Sequence, residues 1–303
     1  MDADVVIVGA GAAGLSAGIE LAKARRRALV VEREGFGGRA MNVEWIMDEA
    51  GGRAPGHELA SALVREAEQA GVRMELGEVA EIESYSGCKS VACSDGTTYT
   101  ASAVILAGGL AGKELGIPGE AKLRGKGLIH CAVCDAGLYS DQTLAVCGGG
   151  EAGLVEGLYL AKFASRVILI EAQPQLSARA VLKDQARANP KLEIRCAHKP
   201  VRIIGREFVS AIEVEEIATG NRQTLDVSGV LVHVGFEPAT GYLANVVPLD
   251  AQGYIQVNER LETSTPGLLA AGDLRGRSPR RFAAAVGDGK AAAAGALRFL
   301  ELA

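Results

Sequence analysis

Two cysteines three positions apart, with an aspartate directly after the second, carry the most distinctive chemistry in the sequence: Cys131, Cys134 and Asp135. Thiols at this spacing can form a disulfide when they open a helix, and the first N–H groups of a helix lower the pKa of a thiol held there. Asp135 is placed to carry a proton to or from a departing thiolate. The pattern predicts a redox-active dithiol with an acid/base residue beside it.

The same Cys-x-x-Cys spacing also occurs in half of a zinc site. A zinc site needs a second pair of ligands. The other four cysteines lie in a predicted hairpin or stand alone, and His130 is adjacent to Cys131 instead of one helical turn away. We therefore expect a redox pair and no metal site.

The N-terminal segment has the pattern of a strand, a glycine-rich turn, a helix and a second strand. A short apolar run precedes Gly9, Gly11 and Gly14, and the second strand ends on Glu32. Such glycines allow a tight turn, the helix N-terminus binds a pyrophosphate, and the acid binds ribose hydroxyls. The segment predicts a βαβ dinucleotide-binding unit.

The pattern recurs later in the chain, at Gly148, Gly150 and Gly153, where the following strand ends on Glu171. The interval from the first glycine to the acid is 23 residues in both copies. The chain therefore contains an internal repeat, which predicts two dinucleotides brought together by one protein.

Three further stretches are placed where a cofactor could lie. One predicted buried strand runs into Gly108, another near the C-terminus ends in Asp273, and the last helix opens with Phe282 and Ala283. A carboxylate at a strand tip can hold cofactor hydroxyls. Small residues at the start of the last helix suit either a flat ligand or tight packing, and both interpretations stay open.

The composition indicates a globular protein of two domains. The chain has 303 residues, 48% of them hydrophobic and 23% charged, and its net charge of −5 provides no basic surface for nucleic acid. No apolar run is long enough to span a membrane, and a strand begins close to Met1, so we expect neither a membrane segment nor a signal peptide. We expect a cytoplasmic protein, in which a Cys-x-x-Cys pair is more often catalytic than structural.

The order of the motifs resembles the low-molecular-weight thioredoxin reductase family, the class II pyridine nucleotide-disulfide oxidoreductases. Along the chain the motifs read GAGAAG, AGG, LGIPGE, CAVCD, GGGEAG, GFEPAT and AGD. The specific part is CAVCD between two dinucleotide folds. The resemblance implies an α/β fold of two Rossmann-like dinucleotide-binding domains, each with three layers (ββα), the second inserted in the first.

By this resemblance, residues 1–112 and 243–303 form a discontinuous FAD-binding domain, and residues 113–242 form the NAD(P)H-binding domain that carries the Cys-x-x-Cys pair. The resemblance also implies a homodimer. It further implies that the inserted domain rotates, so that the flavin meets the nicotinamide and the dithiol in turn.

The resemblance assigns roles residue by residue. Cys134 attacks the flavin, Cys131 exchanges with substrate, and Asp135 is the acid/base. The FAD-binding positions are Gly9, Gly11, Gly14, Glu32, Gly108, Asp273 and Ala283, together with Arg39 and Phe282, where the family usually has glutamine. The nicotinamide cofactor is assigned to Gly148, Gly150, Gly153 and Glu171.

One departure from the family concerns the nicotinamide cofactor. NADPH-dependent members have a His-Arg-Arg cluster where this chain has Glu171-Ala172-Gln173. A carboxylate repels a 2′-phosphate and accepts hydrogen bonds from a ribose diol, so we expect NADH in preference to NADPH. This stretch is similar to the NADH-using flavoprotein subunit of bacterial alkyl hydroperoxide reductase. The extra N-terminal redox domain of that protein is missing, so electrons are expected to leave from Cys131.

A second departure is the segment 41–52, where the family has a Glu-Asn-x-Pro-Gly turn beside the flavin. The segment contains Trp45, the single tryptophan of the chain. Trp45 either stacks on the flavin, covers the dithiol or packs in the core, and core packing is the interpretation we favour.

The predicted function is a reductase that passes electrons from NADH through FAD to the Cys131–Cys134 disulfide, and then to a thioredoxin-like protein or a small disulfide. Two alternatives share the fold: a dithiol oxidase with O₂ as acceptor, and a reductase fed by ferredoxin. Neither needs the second glycine motif. A flavin-binding regulator without turnover is the alternative from another class, and the CAVCD motif argues against it.

Overall fold

Two five-stranded parallel sheets form the framework of the computed structural model of the chain, which describes residues 1–47, 52–129, 131–243 and 246–302. The sheets belong to two compact units. Unit 1 comprises Met1–Ala111 and Glu237–Ala303, and unit 2 comprises Gly112–Phe236. The second unit is thus inserted in the first. The expected domain limits were 112/113 and 242/243, and the units divide at 111/112 and 236/237.

Unit 1 contains a parallel sheet with strand order β20-β9-β1-β2-β5 and an antiparallel meander β6-β7-β8. Two shorter pairs, β3-β4 and β10-β19, complete its strands. The elements of this part of the chain are β1 (Val5–Val8), α1 (Ala12–Lys23), β2 (Ala28–Glu32), β3 (Ile46–Met47), β4 (Arg53–Ala54), α2 (Gly56–Gln69), β5 (Arg73–Leu76), β6 (Val79–Tyr85), β7 (Cys88–Cys93), β8 (Thr98–Ala101), β9 (Ala103–Leu106) and β10 (Leu110–Gly112), and, after unit 2, β19 (Phe236–Pro238), β20 (Leu268–Ala270) and α6 (Phe282–Leu302).

The parallel sheet of unit 1 is covered on both faces. Strands β1 and β9 are buried at every residue, as expected for the centre of a parallel sheet. Alternate residues of these strands face two different clusters: Val5 and Ile7 pack with α1 and α6, whereas Val6 and Val8 pack towards the meander. Helix, parallel sheet and meander are the three layers that the resemblance implied.

Unit 2 repeats this architecture. Its parallel sheet has the order β11-β18-β12-β13-β14, and β15-β16-β17 form its meander. The elements are β11 (Leu128–Ile129), α3 (Ala132–Asp135), β12 (Thr143–Cys147), α4 (Glu151–Leu160), β13 (Arg166–Glu171), α5 (Ala180–Ala188), β14 (Leu192–Cys196), β15 (His198–Gly205), β16 (Val209–Glu216), β17 (Arg222–Asp226) and β18 (Gly229–Val232). The predicted α/β fold with two Rossmann-like units is confirmed.

The stretch 113–127, which is rich in glycine and lysine, lies inside unit 2. Glu120 shows what the LGIPGE motif does there. Its carboxylate accepts hydrogen bonds from the N–H groups of Leu115 and Gly116, at 2.9 and 2.7 Å. A buried acid satisfied by two backbone donors stabilises a turn, so the motif is structural.

Within the described ranges, none of the helices combines the length and the apolar character that a membrane crossing requires.

Candidate active site

A disulfide joins Cys131 and Cys134 at the first turn of α3. Cys131 is the N-cap residue, and its sulfur accepts the N–H of Cys134 at 3.0 Å. Cys131 is buried and Cys134 is exposed. The predicted pairing at the start of a helix is confirmed, and Cys134 is the more exposed residue of the pair. His130, whose position was weighed against zinc, lies outside the described residues.

Asp135 closes the same helix, with its backbone N–H bonded to the carbonyl oxygen of Cys131 at 3.0 Å. Asp135 directly follows Cys134, and this hydrogen bond fixes its backbone beside the disulfide. Burial, and after it the negative charge of Asp135, raises the pKa of the Tyr139 hydroxyl. Leu138 follows this helix, and 79% of its surface is exposed.

Unlike Cys131 and Cys134, which form the disulfide, Cys147 is a free thiol. It is a buried residue of β12, and burial raises its pKa to about 12. A thiol that stays protonated at neutral pH is a poor nucleophile. The redox chemistry of this unit therefore belongs to the Cys131–Cys134 pair.

The first glycine loop is shaped as a dinucleotide cradle. Gly9 has a φ of +105°, and a Cβ on Gly14 would overlap the carbonyl oxygen of Gly9. Helix α1 begins after Gly11 without a side-chain cap or an acid in its first turn, so its N–H groups are open to an anion. Glu32 accepts the N–H of Ala10 at 2.7 Å. These features fit a bound pyrophosphate and ribose.

A pocket of about 990 Å³ opens beside this loop. It brings together most of the positions assigned to FAD from the sequence, namely Gly11, Glu32, Arg39, Gly108, Asp273, Phe282 and Ala283. Gly9 and Gly14 lie under the loop, where they permit its shape. The volume is at the upper end of the range for ligand pockets, as a dinucleotide requires.

Two residues that support this pocket were missed from the sequence. Asp288, on α6, accepts the N–H of Gly272 at 2.9 Å and forms a two-pronged ion pair with Arg275 at 2.6 and 2.8 Å. This pair holds the turn that carries Asp273, whose carboxylate accepts the Ser278 hydroxyl at 2.9 Å. The ion pair joins positions 13 residues apart, which no local motif reveals.

The second glycine loop repeats the backbone shape of the first, although an acid, Glu151, stands in the first turn of its helix. Gly148 has a φ of +117°, a Cβ on Gly153 would overlap the Gly148 carbonyl oxygen, and α4 begins after Gly150 without a side-chain cap. Glu171 accepts the N–H of Gly149 at 2.5 Å and that of Gln173 at 2.7 Å. The repeat predicted from spacing therefore extends to the hydrogen bonds.

Trp45 does not pack in the core, so the favoured interpretation was wrong. Its side chain is 44% exposed, and the Arg53 guanidinium stacks over it at 4.8 Å. Its neighbours Val43 and Ile46 line the pocket of unit 1. Residues 48–51 of this segment lie outside the described part.

Comparisons with known proteins agree with this geometry. Residues 3–289 match the family model described as pyridine nucleotide-disulphide oxidoreductase. The thioredoxin reductase of Bacillus subtilis is 33% identical over 98% of this chain and 95% of its own length. The bifunctional thioredoxin reductase/thioredoxin of Mycobacterium leprae is 36% identical, and the chain spans 66% of it.

A crystal structure of Lactococcus lactis thioredoxin reductase superimposes with a TM-score of 0.86, at 29% identity, covering 99% of this chain and all of the other. The chain therefore belongs to the pyridine nucleotide-disulphide oxidoreductase family and is a flavin-dependent disulfide oxidoreductase of the thioredoxin reductase-like kind.

Proposed function

We propose that the chain is an NADH-linked disulfide reductase, in which electrons pass from NADH through FAD to the Cys131–Cys134 disulfide and on to a thioredoxin-like protein or a small disulfide. One observation carries the proposal: the unit with the disulfide also has a complete second dinucleotide loop, closed by the acid Glu171. A dithiol oxidase or a ferredoxin-fed reductase has no need of such a loop.

We assign the pocket of unit 1 to FAD. Backbone N–H groups after Gly11 are suited to the pyrophosphate, Glu32 to the ribose hydroxyls, Asp273 to the ribitol chain and the backbone near Ala283 to the flavin ring. Arg39 and Phe282 line the same pocket. When bound, FAD supplies two-electron transfer between a nicotinamide and a disulfide.

We assign NADH, in preference to NADPH, to the second loop. The Glu171 carboxylate is fixed by two backbone N–H groups at the end of β13. A carboxylate fixed in this place accepts hydrogen bonds from the two hydroxyls of a free ribose and repels a 2′-phosphate.

The dithiol then reduces the substrate by exchange. Reduction of the enzyme disulfide takes two electrons and one proton and gives one thiol and one thiolate. The thiolate of Cys131 attacks the substrate disulfide and releases one substrate thiol, and the thiolate of Cys134 then displaces the other and restores the Cys131–Cys134 bond. We assign Asp135 to proton transfer at these sulfurs. Cys131 is buried in this structure, so it must become accessible before it meets a substrate.

We further propose a thioredoxin-like partner, a homodimer and a cytoplasmic location. The exposed Leu138 beside the disulfide supplies an apolar contact for a protein partner. The family to which the chain belongs supports the proposal of a dimer and of this partner.

Anaerobic mixing with each nucleotide tests the donor. NADH should bleach the flavin absorbance at a lower concentration than NADPH does. If neither nucleotide bleaches the flavin but a small dithiol does, with oxygen uptake in air, the chain is an oxidase and the proposal is wrong.

A further inference from the structure

A buried carboxylate and a buried imidazole lie behind the helix that carries the disulfide. Glu156 is on α4 and His233 directly follows β18, and their side chains are 16% and 9% exposed. Oε1 of Glu156 is 2.9 Å from Nε2 of His233. Oε2 of Glu156 accepts the N–H of Ala132 at 3.3 Å. Because Ala132 follows Cys131, the acid links the imidazole to the backbone of the dithiol.

The two side chains lie close together, but they do not form a hydrogen bond of good geometry. Among the described residues, Nε2 of His233 has no partner in good hydrogen-bond alignment. An N–H at Nε2 would turn its positive end towards the Glu156 carboxyl group, whose oxygens accept hydrogen bonds. The imidazole can therefore offset the field of this carboxyl group without a net charge of its own.

The position of His233 is fixed by the backbone of the second glycine loop. Its N–H donates to the carbonyl oxygen of Cys147 at 2.7 Å, and its own carbonyl oxygen lies where a Cβ on Gly148 would be. The imidazole also packs against the ring of Phe236 at 5.9 Å. The pair thus lies between the dithiol helix and the nicotinamide loop, inside one unit.

The internal repeat shows that the fold does not need this pair. Gly148 and Gly153 correspond to Gly9 and Gly14, so Glu156 corresponds to Ala17, which is fully buried. His233 corresponds to Ala107, whose N–H donates to Val8 at 2.8 Å and whose carbonyl oxygen lies against Gly9 in the same way. Two alanines of unit 1 are thus replaced by an acid and an imidazole in the unit that carries the disulfide.

We propose that Glu156 and His233 are positioning residues that set the reduction potential of the Cys131–Cys134 disulfide. Two electrons and one proton convert the disulfide into one thiol and one thiolate. A carboxylate near the new negative charge disfavours the reduced form, and the imidazole offsets the carboxylate. The inference rests on the proposed role of this disulfide as the redox-active pair.

The test is equilibration of the whole protein with reduced and oxidised glutathione at pH 7, followed by alkylation and mass measurement of the Cys131–Cys134 peptide. Glu156→Gln should shift the equilibrium constant about three- to tenfold towards the dithiol, and His233→Gln by a similar factor towards the disulfide. A tenfold shift is about 30 mV for this two-electron couple. Glu193→Gln and His198→Gln, in the same unit, are matched controls that should leave the constant unchanged.

The double variant Glu156→Ala/His233→Ala separates the effect of the polar groups from the effect of packing, because unit 1 has alanine at both corresponding positions. Its constant should lie within about twofold of the wild-type value, since the carboxyl group and the imidazole that offsets it are removed together. Shifts in the same direction for both single variants, an equally large shift for the double variant, or no shift at all would overturn the proposal.

Failure of the proposed function has a different signature. Glutathione exchanges directly with the disulfide through its own thiol, so this equilibrium needs no nicotinamide nucleotide. A wild-type protein whose disulfide equilibrates with glutathione but takes no electrons from NADH would contradict the function and leave this inference intact.

Discussion

At the scale of single residues, Glu32 and Glu171 hold their glycine loops through the same pair of backbone hydrogen bonds. The two loops therefore share one geometry, and each acid belongs to one proposed cofactor site. Glu32 accepts the N–H of Ala10 at 2.7 Å and that of Glu34 at 3.0 Å. Glu171 accepts the N–H groups at the corresponding places of its own loop, at 2.5 and 2.7 Å. Substituting one acid at a time should therefore affect one cofactor at a time.

Glu171→Gln keeps an acceptor for the loop but removes the charge. We expect roughly tenfold weaker NADH binding, because hydrogen bonds from ribose hydroxyls to a charged acceptor are lost, together with tighter NADPH binding. The measurement is the rate of anaerobic flavin reduction against the concentration of each nucleotide. Glu32→Gln is the control and should lower flavin content without changing the nucleotide preference. An unchanged ratio of NADH to NADPH in Glu171→Gln would refute the NADH assignment.

The raised pKa of Cys147 gives a second expectation. With a pKa of about 12, only on the order of one thiol in ten thousand is ionised at pH 8. Iodoacetamide should therefore label the exposed Cys134 in the reduced native protein and leave Cys147 unlabelled until the chain is denatured. Labelling of native Cys147 should increase as the pH rises towards 12. Rapid labelling at pH 8 would contradict its burial.

Single residues were predictable where a local motif carries them. Cys131, Cys134 and the two loop acids stand in short patterns with a direct chemical meaning. The Arg275–Asp288 pair and the Glu156–His233 pair form only when separate elements meet, so no spacing along the chain reveals them. Trp45 was misjudged because a large aromatic residue is usually buried, whereas here a guanidinium covers one face of it.

At the scale of elements, the two glycine loops are the parts that tolerate least change. In each loop the third glycine of the motif lies against the carbonyl oxygen of the first, and a Cβ there would overlap this oxygen. The helix could then no longer begin so close to its strand, and the pyrophosphate site would be displaced.

Gly14→Ala and Gly153→Ala make a matched pair for this reason. We expect Gly14→Ala to purify with less than about a tenth of the wild-type flavin, from the ratio of absorbance at 450 and 280 nm. Gly153→Ala should keep its flavin but require at least about tenfold more NADH for the same rate of reduction. Loss of flavin in both variants, or in neither, would show that the two loops do not serve separate cofactors.

Elements with a strong periodic pattern were predicted closely. Leu59, Leu63 and Val64 recur at helical spacing, which predicts a helix, and α2 is observed over Gly56–Gln69. The stretch 113–127 has no such pattern, and its glycines and Pro118 mark a turn as readily as a linker. Glu120 makes this stretch a structured part of unit 2 by binding the N–H groups of Leu115 and Gly116.

At the scale of the whole molecule, the chain combines two copies of one fold, and only the inserted copy carries the dithiol. The proposed protein partner can be tested at its surface. Leu138→Ser should raise the KM for a thioredoxin-like disulfide protein about five- to tenfold, since an exposed apolar contact is lost, and should leave turnover of a small disulfide unchanged. Val181→Ser, at an exposed valine elsewhere in unit 2, is the control. Equal effects on both substrates would show that Leu138 does not contact the protein partner.

The central claim is that one flavin and one disulfide in each chain accept electrons from NADH. Anaerobic titration of the purified protein with NADH, followed by flavin absorbance and thiol content, tests it most directly. The account predicts that full reduction consumes two equivalents of NADH per chain in the wild type and one in Cys134→Ser. Equal consumption by the two proteins, with no new thiols in the wild type, would contradict it.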